Sequence, residues 1–201
     1  PPLAERQAVL VADLCRLTGE VMARIDASAV RALTITTWGA DGAPVDREGR
    51  LTYPVISWQC PRTNDLVEEV RAMMPAAEIF RRTGYQVISF NTLLKLAWLR
   101  RHAPEIWDRT HRFVMMPGLL THRLTGELSV DPTMAGTTMA FDASRRQWDG
   151  ELLGWASVGP EIWPALVEPG RVVGSVRAAA AEKAGLPPGL PVTAAGHDTQ
   201  F

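Results

Sequence analysis

The stretch Leu190-Pro191-Val192-Thr193-Ala194-Ala195-Gly196-His197-Asp198-Thr199-Gln200 decides how this chain folds. Its first half is apolar and follows the turn residues Pro187-Pro188-Gly189, so it reads as a buried strand. Behind Gly196 the character switches to polar. A strand that empties into Gly-His-Asp-Thr-Gln sets hydrogen-bonding groups at the carboxyl edge of a sheet, where open α/β folds bind ligands. Gly196 carries no Cβ, which lets the loop turn sharply and a ligand approach the backbone. Asp198 is then expected to point into a cleft, near a substrate hydroxyl. A plain Asx-turn or a helix cap satisfies the same pattern.

Two clusters upstream have the same construction. Val30–Thr37 reads as a β-branched strand that runs into Trp38-Gly39-Ala40-Asp41-Gly42. An aromatic, two glycines and the Asp41 carboxylate at a strand exit suit a small polyol, which offers an apolar face and hydroxyls. A simple turn around Gly42 accounts for them equally. The third cluster is Trp58-Gln59-Cys60-Pro61-Arg62-Thr63. There Trp58 and Arg62 sit at a helix entry, where free backbone N–H groups attract anions or hydroxyls. The competing reading packs Trp58 in the core and pairs Arg62 with Asp65 or Glu68.

Between these points the periodicity is helical over 4–25, 62–74, 76–82, 91–102, 104–109, 117–124, 147–155 and 177–184. Strands are expected at 113–116 and 190–195, a hairpin around Arg47-Glu48-Gly49-Arg50, and strand and turn over 127–142. Strands alternating with helices argue an α/β domain with a mixed or parallel sheet. Trp98, Trp107, Trp148, Trp155 and Trp163 are read as packing residues, and Asp131 and Asp142 as turn acids.

The 201 residues, 46% of them hydrophobic, suffice for one sizeable core. The formal net charge of -1 and the scattered Lys and Arg exclude a basic stripe for nucleic acid. Cys15 and Cys60 form no CxxC pair, and His102, His111, His122 and His197 show no metal-ligand spacing. No apolar run reaches the roughly 18 residues of a membrane span, and a cytoplasmic protein is the default expectation. Neither a GxxxxGK[ST] phosphate loop nor a GxGxxG turn is present.

Several segments, in order, resemble the FGGY family of carbohydrate kinases. Phe90-Asn91-Thr92-Leu93-Leu94-Lys95-Leu96-Ala97-Trp98 is similar to the family's first signature, and Trp58-Gln59-Cys60-Pro61-Arg62 to its W-Q-x-x-R segment. Leu124-Thr125-Gly126-Glu127 with Asp131 and Ala135-Gly136-Thr137 resembles a further family stretch, and Gly196-His197-Asp198-Thr199-Gln200-Phe201 the loop with the catalytic aspartate. The likeness covers about residues 30–201. Within the family it leans toward members acting on L-fuculose, then L-rhamnulose. Glycerol-phosphorylating members carry an Arg-Glu pair where Gly39-Ala40 stand here.

The resemblance implies a ribonuclease-H-like domain of the actin-like ATPase architecture, with residues 1–201 as the sugar-binding part of an ATP- and Mg²⁺-dependent kinase. It implies Asp198 as general base, with Trp38, Gly39, Phe90, His197 and Thr199 lining the sugar pocket and Asp41, Trp58, Arg62 and Gln200 nearby. The family's Asp-x-Gly phosphate hairpin is expected upstream of Pro1 and its nucleotide domain beyond Phe201. These residues alone are therefore expected not to turn over. The absent strands would leave sheet edges unpaired. Either the chain continues beyond these residues or it assembles with another copy.

Overall fold

The computed structural model describes residues 3–200, with side chains from Val9 onward. Helix α1 (Leu3–Met22) precedes the short strand β1 (Leu33–Thr34) and strand β2 (Gly42–Val45). Helices α2 (Leu66–Met73), α3 (Ala76–Thr83), α4 (Thr92–His102) and α5 (Pro104–Trp107) follow. Then come β3 (Arg112–Met115), α6 (Met116–Thr125), β4 (Ser129–Val130), α7 (Pro132–Gly136), β5 (Phe141–Asp142), β6 (Gln147–Trp148) and α8 (Gly150–Trp155). The chain closes with β7 (Ala165–Leu166), β8 (Val172–Ser175), α9 (Ala178–Ala184) and β9 (Pro191–Thr193).

The sheet that positions the site has the order β1-β9-β8, with β1 parallel and β8 antiparallel to β9. Leu33 lies opposite Val192 and Thr34 opposite Thr193. This is the mixed sheet that the alternation of strands and helices implies. β2 pairs antiparallel with β3, and the bridges Gly42 to Ile56 and Val45 to Leu51 close the expected hairpin over the Asp46–Arg50 turn.

Four expectations are corrected. The strand over Val30–Thr37 is regular only at Leu33–Thr34, with one further bridge from Thr37 to His197, because among the described residues it is hydrogen-bonded on one side only. The helix over Gln147–Trp155 is really strand β6 followed by α8. Asp149 takes an extended backbone and accepts N–H bonds from Glu151 and Leu152, so the helix cannot begin earlier. The 127–142 region contains the helical turn α7, opened by Asp131-Pro132 in the same manner. The helix over 62–74 splits into a 3₁₀ turn at Pro61–Thr63 and α2.

The main core gathers Leu93, Leu94, Leu96 and Leu99 of α4 with Ile56, Phe113, Met115, Met134, Met139 and Leu152, all fully buried. Trp148 stacks on Trp163 at 4.4 Å, and Trp163 meets Phe113 edge-on. The five tryptophans assigned to packing belong to this cluster. A second cluster, with Val176, Ala181, Ala184, Leu190 and Val192, seats α9 and receives Cys15 and Met22 of α1. α1 thus packs on α9, while Leu14, Leu17 and Val21 face outward. No helix among the described residues is long and apolar enough to cross a membrane.

Candidate functional site

Parallel pairing of β1 with β9 makes two strand exits emerge side by side. The pairing runs on past the strands: Thr37 N–H donates to Gly196 O (3.1 Å), and Asp198 N–H donates to Thr37 O (2.9 Å). Trp38-Gly39-Ala40-Asp41 therefore lies against Gly196-His197-Asp198-Thr199. Two stretches some 160 residues apart in sequence become one sheet edge.

Gly39 is required at this seam. A methyl group there would stand 2.8 Å from the His197 ring and 2.8 Å from the Thr137 methyl. Gly39→Ala is expected to cost about 1–3 kcal/mol through overpacking, read as a lower urea midpoint.

The His197–Thr199 side is fixed from beneath. Thr133 Oγ1 accepts the His197 N–H (3.0 Å) and donates to Asp131 Oδ1 (2.5 Å), which also caps α7 through the Thr133 and Met134 N–H groups. Burial pushes the Asp131 carboxyl up, against the pull of those donors. Asp131 is therefore more than a turn acid. Thr199 Oγ1 shares a 2.5 Å hydrogen bond with His197 Nδ1. Asp198 opens a 3₁₀ turn that runs to Gln200, its side chain 49% exposed and its Oδ1 3.8 Å from His197 Nε2. Thr199 and Gln200 are exposed.

The Trp38 side is organised around Asp41, which is only 4% exposed. Its Oδ2 accepts from Trp38 Nε1 (2.8 Å), and its Oδ1 accepts from Trp58 N–H (2.5 Å) and from Lys95 Nζ (3.4 Å). Both oxygens are committed to protein donors, and the visible result is two aromatics held at the surface. Trp38 is 40% and Trp58 48% exposed, and Phe90 stands edge-on to Trp58 at 6.1 Å. Trp58 is thus not a core residue. Arg62 pairs with neither Asp65 nor Glu68: it donates to Tyr53 OH (2.9 Å) and Cys60 Sγ (3.0 Å) and lies over the Trp98 ring. Burial pushes the Cys60 thiol up, but the Arg62 bond and charge outweigh it and the net shift is downward.

Residues 7–201 match the FGGY family of carbohydrate kinases, N-terminal domain. The chain belongs to that family. It is 40% identical over 190 residues to L-fuculokinase of Escherichia coli K12, covering 94% of this chain and 40% of the relative. Rhamnulokinase of Enterococcus faecalis is 31% identical, over 82% of this chain and 33% of its own. Among solved structures, the gluconate kinase of Lactobacillus acidophilus superposes with a TM-score of 0.86 at 20% identity, over 94% of this chain and 38% of that one. The fold is accordingly that of the first domain of the sugar kinases. The chain spans about 40% of the length of the curated L-fuculokinases it matches.

In this FGGY domain the role of one residue, Lys95 of the family's first signature, was not readable from sequence. Lys95, 1% exposed in the apolar middle of α4, donates to Ala40 O (2.7 Å), Ile56 O (2.9 Å) and Asp41. Burial lowers its pKa to about 8, with the Asp41 charge opposing that fall. Ala40 itself has a left-handed backbone, φ 67°, which costs a residue with a Cβ about 1–2 kcal/mol. Thr92 Oγ1 also donates to Ala40 O (3.0 Å), and Ala40 N–H donates to Thr137 Oγ1 (3.3 Å). The sequence signals were its place in the family's first signature and a cation among Leu93, Leu94, Leu96 and Ala97. No group of three or more His, Cys, Asp or Glu among the described residues could hold a metal ion.

Proposed function

We propose that this chain is the sugar-binding domain of an ATP-dependent kinase that phosphorylates the primary hydroxyl of a ketose, with L-fuculose the leading substrate. The observation that carries the reading is a half-exposed carboxylate, Asp198, on a loop hydrogen-bonded to one that presents Trp38. The choice of L-fuculose rests on the 40% identity to L-fuculokinase, and L-rhamnulose follows from the 31% identity to rhamnulokinase.

Sugars bind through an apolar face and directional hydroxyls, and Trp38, Trp58 and Phe90 supply aromatic surface beside the polar atoms of His197 and Thr199. Asp198 takes the proton of the ketose C1 hydroxyl as that oxygen attacks the γ-phosphorus. The new O–P bond forms as the bond to the ADP oxygen breaks, and the carboxyl later releases its proton to solvent. ATP and Mg²⁺ are taken from the family's reaction: the sequence holds no GxxxxGK[ST] loop, and there is no acidic metal cluster among the described residues. This domain's part is to place the sugar and accept the proton.

The test is ADP release by the full-length protein over a panel of ketoses and polyols. Turnover on L-fuculose with the lowest KM is the expected result. A better ketose moves the substrate and keeps the mechanism, while no phosphorylation of any sugar leaves a non-catalytic sugar-binding module. Thr133→Val, which removes the hydroxyl between Asp131 and the His197 N–H, is expected to lower kcat by about tenfold, the worth of one hydrogen bond near 1.4 kcal/mol. An unchanged kcat in that variant would remove Thr133 from the account.

A further inference from the structure

We infer that Lys95 is a positioning residue for sugar recognition: its ammonium ties the loop carrying Trp38 to the loop carrying Trp58 and so fixes the spacing of the two aromatics. The inference rests on the proposal that the sugar binds against these residues.

An ammonium has three N–H donors and no acceptor. All three find partners here, and the partners come from two loops. Ala40 O and Asp41 lie on the exit of β1, and Ile56 O precedes Trp58 by two residues. Asp41 extends the tie, since it accepts the Trp38 indole N–H and the Trp58 backbone N–H at once. One buried cation thus determines where both indoles stand. Lys95 itself is 1% exposed and reaches no substrate, so its effect passes through these partners.

A purely structural role would not need a cation. Apart from Thr92, α4 is apolar around Lys95, and apolar residues in place of both Lys95 and Asp41 would fill the space without burying charge. The left-handed Ala40 adds to the argument. Its carbonyl is aimed at α4 and is held by both Lys95 and Thr92, a doubly donated acceptor at a backbone that would otherwise relax. Strain held by surrounding contacts clusters where geometry matters for binding. Three donors for three acceptors also make the tie sensitive to protonation. The neutral amine has only two N–H groups, and it loses the attraction of Asp41. Cys60 and Arg62 are the other titratable or charged groups facing Lys95, the first favouring the ammonium and the second opposing it.

The test is a KM-against-kcat comparison in the full-length protein. Lys95→Met is expected to raise the ketose KM at least tenfold, with the ATP KM within twofold and kcat within about threefold. Thr92→Val, which leaves the charge but removes one of the two donors to Ala40 O, is expected to raise the ketose KM severalfold. In the wild type the ketose KM is expected to climb above pH 8, and to do so equally in Cys60→Ala, which separates Lys95 from the neighbouring thiol. A ketose KM in folded Lys95→Met within twofold of wild type, or an ATP KM that rises in step, would overturn the inference. Should Lys95→Met fail to fold, a flat wild-type ketose KM to pH 9.5 together with an unaffected Thr92→Val overturns it instead. An activity-independent readout covers the case in which no ketose is a substrate, which defeats the proposed function and not the tie. The Trp38 indole N–H, assigned by its loss in Trp38→Phe, should at pH 7 exchange with solvent at least tenfold faster in Lys95→Met than in the wild type, or severalfold faster in Thr92→Val should Lys95→Met fail to fold. Unchanged exchange would show that Lys95 does not hold the aromatics.

Discussion

Asp198→Asn in the full-length protein is expected to lower kcat on its best ketose by about 10²–10⁴, the usual contribution of a positioned general base. Asparagine keeps the size of the side chain and can still hydrogen-bond a hydroxyl, but it cannot take the proton. The ketose KM should therefore change little, within about threefold. The fold should be indifferent to the change. The Asp198 side chain is half exposed, and its Oδ1 stands 3.8 Å from His197 Nε2. The hydrogen bond that fixes the loop comes from its backbone N–H to Thr37 and survives the substitution. Stability should stay within roughly 0.5 kcal/mol, as for other surface substitutions. A variant retaining more than a tenth of wild-type kcat would remove Asp198 from the role of base. A large loss of stability would mean that the carboxylate is structural.

What was legible in the sequence was what local chemistry decides. The ends of α3, α6 and α9 fall at Gly84, Gly126 and Gly185, each in the left-handed conformation that glycine adopts at no steric cost. Strand exits were legible too, because apolar runs breaking into Trp-Gly and Gly-His-Asp mark them without knowledge of a partner. That alone located Trp38, Gly39 and the His197–Thr199 loop. Even local rules had exceptions. Asn91 stands at the start of α4 as a cap residue would, yet its Oδ1 accepts from Ile88 N–H and its Nδ2 is buried without a partner.

The unreadable part lay in contacts between distant segments. Lys95 meets Ala40 across 55 residues, and Thr133 meets the His197 N–H across 64. Nothing in the composition around Thr133 says that its hydroxyl will support a loop from another strand. Asp41 was legible as an acid at a strand exit but not in its occupation. Its position suggested an acceptor for a sugar hydroxyl, whereas its oxygens are taken by Trp38, Trp58 and Lys95. The family likeness could rank these positions as shared but could not say which side chains face a ligand and which hold others in place.

Asp41→Ala is expected to be the most destabilising single change near the site, by about 3–5 kcal/mol at pH 7, because it leaves the buried Lys95 charge without its counter-charge and the Trp38 and Trp58 N–H groups without their acceptor. At a typical slope this moves the urea midpoint of the domain's transition down by about 1 M or more. The loss should depend on pH in a defined sense. In the native fold Lys95 titrates at about 8, below its ordinary 10.5, since burial opposes the charged form. Between those values the unfolded chain holds the proton that the folded chain has released, so stability rises with pH across that window and the benefit is lost as pH falls through about 8. Without Asp41 the Lys95 pKa falls further, and the window opens at lower pH. By pH 9.5 most folded molecules of either protein carry the neutral amine, so the difference between variant and wild type should shrink there. The double variant Asp41→Ala with Lys95→Met should be more stable than Asp41→Ala alone, because the orphaned charge is gone, although both partners of the pair have been removed. If the deficit is the same at pH 7 and 9.5, or if the double variant loses the sum of the two single losses, the Lys95–Asp41 pair is not the electrostatic unit that the buried geometry describes.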